Sequence, residues 1–146
     1  MSLPLCGPTI TGEAMSTVSL SLGKDGVVHE DARRTITEAT LGLPDGSVLR
    51  VGTITVKDGT NTLGNHYHPD TETFLIRAGS ARLYTASADT PDDVSSQDLV
   101  AGDTVVIPAR VIHTFVCGPG TVLESIATQP FTEDWIVRHS LTLPEA

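Results

Sequence analysis

Along most of the chain, apolar and polar positions alternate in short runs, and no long stretch repeats at the helical period. The runs cover residues 17–22, 35–40, 48–57, 72–77, 81–85, 104–107, 111–117, 121–128 and 135–143. Turn-forming clusters divide them: Leu43-Pro44-Asp45-Gly46, Lys57-Asp58-Gly59, Ala78-Gly79-Ser80, Ala101-Gly102-Asp103 and Cys117-Gly118-Pro119-Gly120. The best helical candidate, residues 30–40, is rich in Thr and Ile, which fit a pleated strand better. Many short strands with regular turns predict an all-β fold, an antiparallel sandwich or barrel. The polar stretch 86–96, with Asp89, Asp92 and Asp93, reads as an exposed loop.

Size and charge narrow this picture. A chain of 146 residues without repeats or a linker forms one domain, 1–146, with its core at 48–128. Nine basic residues against eighteen acidic ones give a net charge of -9, which excludes nucleic acid and anionic membrane surfaces as partners. No stretch approaches the roughly 20 apolar residues of a membrane span, and the first residues lack the basic and apolar regions of a signal peptide. Two cysteines, Cys6 and Cys117, do not make a disulfide framework and point to a reducing compartment. Together these predict a cytoplasmic protein. Cys117 reads as a small buried hydrophobe.

The candidate chemistry lies in two stretches. In Gly64-Asn65-His66-Tyr67-His68-Pro69-Asp70-Thr71-Glu72, strand alternation points His66 and His68 the same way, a spacing at which two imidazoles can grip one metal ion. Pro69-Asp70 interrupts the strand, and Glu72 opens the next one, sharing its face with Phe74 and Ile76. In the second stretch, 102–113, a turn, a strand and another turn deliver His113, which shares its face with Val111 and Phe115. If the two stretches lie on facing sheets, His113 completes a site of three nitrogens and one oxygen that leaves positions open for substrate. Phe74, Ile76, Val111 and Phe115 are then the expected cavity-lining residues. His29 and His139 lie apart and read as solvated or hydrogen-bonded, with an extra metal ligand as the alternative. Trp135 and Phe131 are expected to pack the C-terminal segment over the barrel. Arg77 reads as a surface charge, and Arg50 as a residue that could point inward.

The two stretches resemble the two motifs of the cupin superfamily. His66-x-His68, Glu72 after three residues and Gly79 after six match the first; Gly102, Pro108 after five residues and then His113 match the second. Arg110 stands where the family usually has Gly, and Cys117 where it usually has Asn. The resemblance implies a jelly-roll barrel, a homodimer and a divalent metal held by His66, His68, Glu72 and His113. The whole chain is also similar to small cupin-type aromatic polyketide cyclases of actinomycete, resistomycin-like pathways. That likeness implies zinc acting as a Lewis acid on a ketone oxygen during aldol-type ring closure. The expected substrate is a small, hydrophobic, carbonyl-rich molecule. Iron or manganese suits the same ligands, and iron would favour a dioxygenase. Gly64–His68 also resembles sugar-nucleotide isomerases and epimerases, for which the scarcity of basic residues is a counterargument. A non-enzymatic small-molecule-binding cupin is the reading from a different class.

Overall fold

The computed structural model describes residues 26–128 and 135–144. Eleven strands fill this span: β1 (Gly26–Glu30), β2 (Arg34–Gly42), β3 (Val48–Val56), β4 (Asn61–Tyr67), β5 (Glu72–Ala78), β6 (Ser80–Ser87), β7 (Ser95–Val100), β8 (Thr104–Ile107), β9 (Val111–Cys117), β10 (Val122–Ala127) and β11 (Val137–Arg138). The Thr/Ile-rich stretch is strand β2, as its β-branched residues predict. The expected run 17–22, Cys6 and Phe131 lie outside the described residues. The expected loop 86–96 is shorter than its polarity suggested. Ala86 and Ser87 close β6, and Ser95 and Ser96 open β7. Cross-strand pairs of Tyr84 with Ser96 and Thr85 with Ser95 carry the ladder into these polar residues. In the C-terminal run, only Val137–Arg138 forms a strand, against the edge of β4.

Two antiparallel sheets face each other, ordered β1-β2-β3-β10-β5-β8 and β11-β4-β9-β6-β7. This is an all-β jelly-roll sandwich. Alternation along each strand supplies the core. Arg50, Gly52, Ile54 and Val56 of β3 face inward, as do Glu72, Phe74 and Ile76 of β5 and Leu123, Ser125 and Ala127 of β10. Val56, Ile76, Leu83, Leu99, Phe115 and Leu123 fill one end of the sandwich. Burying each such side chain stabilises the fold by about 2 kcal/mol. Polar inward residues begin where this packing ends, and they mark the other end as a site. On the outer face of the five-stranded sheet, Leu141 joins Tyr84, Ala86 and Ile112 in a second cluster. The tail from Trp135 onward thereby clamps that sheet.

Two turns depend on backbone conformation. Gly79 has φ 77, and a Cβ there would meet Thr121 Oγ1 at 2.6 Å and its Cα at 2.8 Å, so the tight β5–β6 hairpin takes only glycine. Arg110, at the position where cupins usually carry glycine, nevertheless adopts φ 62. Its N–H donates to the His68 carbonyl at 2.8 Å, so this left-handed residue ties the β8–β9 turn to the site. Its guanidinium meets Asp89 at 2.8 Å on the surface, a contact of small energetic worth. Comparing two truncations isolates the backbone effect. Arg110→Gly is expected to be more stable than Arg110→Ala by about 1 kcal/mol in urea denaturation. Equal stabilities would show that φ 62 is unstrained here.

Candidate metal centre

A β-bulge builds the first half of the site. In the β4–β9 ladder Leu63 faces Phe115 and Gly64 faces Thr114, but His66 faces His113, so Asn65 is an extra residue. Without it, alternation would put His66 on the face opposite buried Leu63. With it, Leu63 enters the core and His66 still turns inward. Gly64 (φ 98) and Asn65 (φ 60) supply the left-handed backbone the bulge requires. The Thr114 hydroxyl donates to Asn65 Oδ1 at 2.9 Å, and the His139 N–H donates to the Asn65 carbonyl at 2.9 Å, which holds it there. The two motif stretches are therefore not on facing sheets, as the sequence alone suggested for His113. β4 and β9 are neighbours in one sheet, and Glu72 on β5 comes across from the other.

His66, His68, Glu72 and His113 converge, with one potential ligand atom from each, all within 4.8 Å of one another. The imidazole centroids of His66 lie 4.7 Å from those of both His68 and His113. Each buried ring is oriented from behind. His68 Nδ1 donates to the Trp135 carbonyl at 3.0 Å, and His113 Nδ1 donates to the Val111 carbonyl at 3.1 Å. A carbonyl only accepts, so in the neutral ring of each the Nε2 atom carries the lone pair, directed at the shared point. Trp135 also stacks on His68, centroids 3.6 Å apart, and its indole N–H donates to Asp70 Oδ2 at 3.1 Å. Behind Glu72, Oε2 accepts from Arg50 Nη2 at 3.3 Å and from the Ser125 hydroxyl. This leaves Oε1 for the imidazole side, 2.9 Å from His68 Nε2 and 3.7 Å from His113 Nε2. The 2.9 Å approach lacks hydrogen-bond geometry. His68 Nε2, Glu72 Oε1 and His113 Nε2 are buried without a hydrogen-bond partner among the described residues. Orphaned acceptors of this kind are unfavourable unless a cation satisfies them, so the donor set fits a divalent metal.

Electrostatics favour the same protonation state. Burial, then repulsion from His113 and His68, pushes His66 down to about 3. Burial likewise lowers His113. For Glu72, burial alone would raise the carboxyl, but the adjoining His68 ring and Ser125 hydroxyl outweigh it and hold it at about 2. Near neutral pH His66 and His113 are thus neutral and Glu72 is a carboxylate, the forms that bind cations. The unfolded chain takes up a proton at His66 near 6.5, whereas the folded chain resists it down to about 3, so stability falls as pH drops through that window. Glu72 acts in the same direction between 4.5 and about 2. We expect chelator-treated protein to melt at a lower temperature at pH 5 than at pH 7.5, with a smaller drop in His66→Gln. An equal drop in both would show that His66 is not the group responsible.

A cavity of about 380 Å³ opens above the cluster. Phe74 and Phe115 line it. Ile76 and Val111 do not. Ile76 is buried one step deeper in the core, and Val111 lines a separate depression with Leu83 and Pro108. His29 reaches the cavity mouth but pairs with Asp31 Oδ2 at 2.9 Å, and neither His29 nor His139 belongs to the metal-fit cluster. The cavity also holds residues that sequence reasoning passed over or left open: Arg34, Glu38, Arg50, Ser125 and Arg138. Arg50 is 3% exposed and bridges Glu72 to Glu38, whose Oε2 accepts from Nη1 at 3.4 Å. Their signal was parity: Arg34 and Glu38 share a strand face with Ile36, and Arg50 shares one with Ile54 and Val56. Cys117 is fully buried, and burial pushes its thiol up to about 11, as a structural cysteine requires.

Residues 52–123 match the family model of the Cupin domain. The fold is similar to that of oxalate decarboxylase from Bacillus subtilis. An arginine-to-alanine variant aligns with TM-score 0.65 and 18% identity, and the enzyme at pH 4.6 with TM-score 0.62 and 19% identity. A third structure of that enzyme, studied for its Mn(II) centres, aligns with TM-score 0.62 and 18% identity. Each alignment covers 80% of this chain but only 30% of the decarboxylase, so the chain spans less than a third of that protein's length. A comparison with curated protein sequences finds no match. Domain match, fold and ligand cluster together support the cupin superfamily for this chain. Among the described residues no helix is long and apolar enough to cross a membrane.

Proposed function

We propose that this chain is a metal-dependent cupin enzyme that closes a ring in a carbonyl-rich small molecule, by aldol-type cyclisation of an aromatic polyketide. The supporting observation is the convergence of three imidazoles and one carboxylate at the base of an open cavity whose walls are largely apolar, including Ile36, Ile54, Leu63, Phe74, Phe115 and Leu123. His66, His68, Glu72 and His113 would hold the ion, with zinc as our choice and manganese or iron suited to the same donors. A divalent ion there would supply Lewis acidity to a ketone oxygen, which would acidify the adjacent carbon. The apolar wall orients the ring-forming part of the substrate and excludes water from it. Glu38 faces the same cavity with Oε2 on Arg50, and we assign to it the removal of a proton from carbon.

Elemental analysis of protein purified without added metal tests the first half, with near-stoichiometric zinc expected. Glu38→Gln tests the second. It is expected to retain metal while lowering kcat by about 100-fold on a polyketide-like diketone. Absence of metal uptake would remove the Lewis-acid reading, and full activity in Glu38→Gln would move the base elsewhere.

A second reading, isomerisation or epimerisation of a nucleotide sugar, gains from one observation. Arg34, Arg50 and Arg138 all line the cavity, although basic residues are scarce in the chain. Retention of a nucleotide sugar on ultrafiltration, without retention of an aromatic diketone, would favour it.

A further inference from the structure

The inward face of β2 carries a charge that the ligand cluster leaves unused. Arg34, Ile36 and Glu38 alternate along it and all line the cavity. Glu38 is paired with Arg50, but Arg34 Nε is buried with no hydrogen-bond partner among the described residues. Burial and the charges of Arg33 and Arg138 work against this guanidinium, and the opposing charge is that of Asp31. Asp31 is already engaged. Its Oδ1 accepts from the backbone N–H groups of Arg33 and Arg34, and its Oδ2 meets His29 and the Arg33 guanidinium. Glu30, the next carboxylate, accepts from Lys57 and Thr35. A half-buried guanidinium with an unsatisfied donor, facing a cavity and disfavoured by its neighbours, is a site for an anion.

Position makes the inference specific. Arg34 lies four residues along β2 from Glu38, or about 13 Å at roughly 3.3 Å per residue. Ile36, Ile54 and Leu63 line the cavity along with both ends. We propose that the cavity takes an amphipathic substrate: oxygen donors at the His66–His68–Glu72–His113 end, an apolar body, and an anionic group, carboxylate or phosphate, bound by Arg34 at the far end. This rests on the cyclase reading for the identity of the reacting end and amends it, since the sequence alone suggested a small, hydrophobic, carbonyl-rich substrate. It makes Arg34 a determinant of which substrates are accepted and in which direction they lie.

The test is isothermal titration of the full chain, after chelator treatment, with 6-hydroxy-2-naphthoate, 6-hydroxy-2-naphthamide and 6-hydroxy-2-naphthyl phosphate. Working on metal-free protein keeps its outcome separate from that of the cyclase reading, which metal analysis and turnover decide. Either anion is expected to bind about tenfold more tightly than the neutral amide. That preference should vanish in Arg34→Gln, survive in part in Arg34→Lys, and weaken with salt, with thermal melts confirming that both variants fold. Naphthoate ahead of naphthyl phosphate would assign a carboxylate, and the reverse order a phosphate ester. Equal binding of acid and amide, an unchanged preference in Arg34→Gln, or no binding of any probe would overturn the proposal.

Discussion

Glu72→Ala is expected to strip the metal and to destabilise the chelator-treated protein by about 3 kcal/mol. Glu72 serves two partners through two oxygens. Oε1 faces the imidazoles, while Oε2 accepts from Arg50 at 3.3 Å and from Ser125. Arg50 is 3% exposed, so removing Glu72 takes a carboxylate away from a buried guanidinium that also meets Glu38 at 3.4 Å and the Trp135 ring. An uncompensated buried charge is far more unfavourable than the intact pair is favourable, and this decides the sign. The two roles separate in a double variant. Glu72→Ala with Arg50→Met should regain most of the stability in urea denaturation but none of the metal. A loss below about 1 kcal/mol in the single variant would mean that Arg50 finds other compensation.

Gly64→Ala is the second large effect, again about 3 kcal/mol with weakened metal binding. A Cβ at Gly64 would lie 2.5 Å from the His113 carbonyl oxygen, and the residue holds φ +98. The clash is with backbone on the neighbouring strand, so relief requires β4 and β9 to separate where His66 and His113 are paired. Gly46→Ala is the matched control. Gly46 has φ +89 but nothing within 4 Å of its added Cβ, so it carries the conformational effect alone, about 1 kcal/mol. Equal losses in the two variants would assign the whole effect to φ and remove the close approach from the account.

Most of the strand pattern was legible because its causes are local. Alternation, β-branched residues and Gly/Pro/Asp turns act over a few residues, and they gave β2, β3, β5, β6, β8, β9 and β10. The polar strand β7 was hidden because its pairing with β6 outweighs its composition. The four candidate ligands were likewise visible as residue types at motif spacings in the sequence.

Other features depend on which strands become neighbours, a property of the folded chain alone. Parity placed His66 beside His68 but gave no sign that Asn65 is an extra residue, without which Leu63 and His66 would face opposite ways. Arg50 meets Glu72 only because β10 lies between β3 and β5, bringing residues 22 apart in sequence into one buried group. Ile76 and Val111 share strand faces with Glu72 and His113, yet Ile76 is packed into the core and Val111 lines a separate depression, not the cavity. The sequence by itself determined an all-β fold and the chemistry available to it, because side-chain type and alternation are local. The tertiary structure decided how that chemistry is oriented, which charges are satisfied and that Arg34 faces the cavity, because cross-strand register and burial are collective.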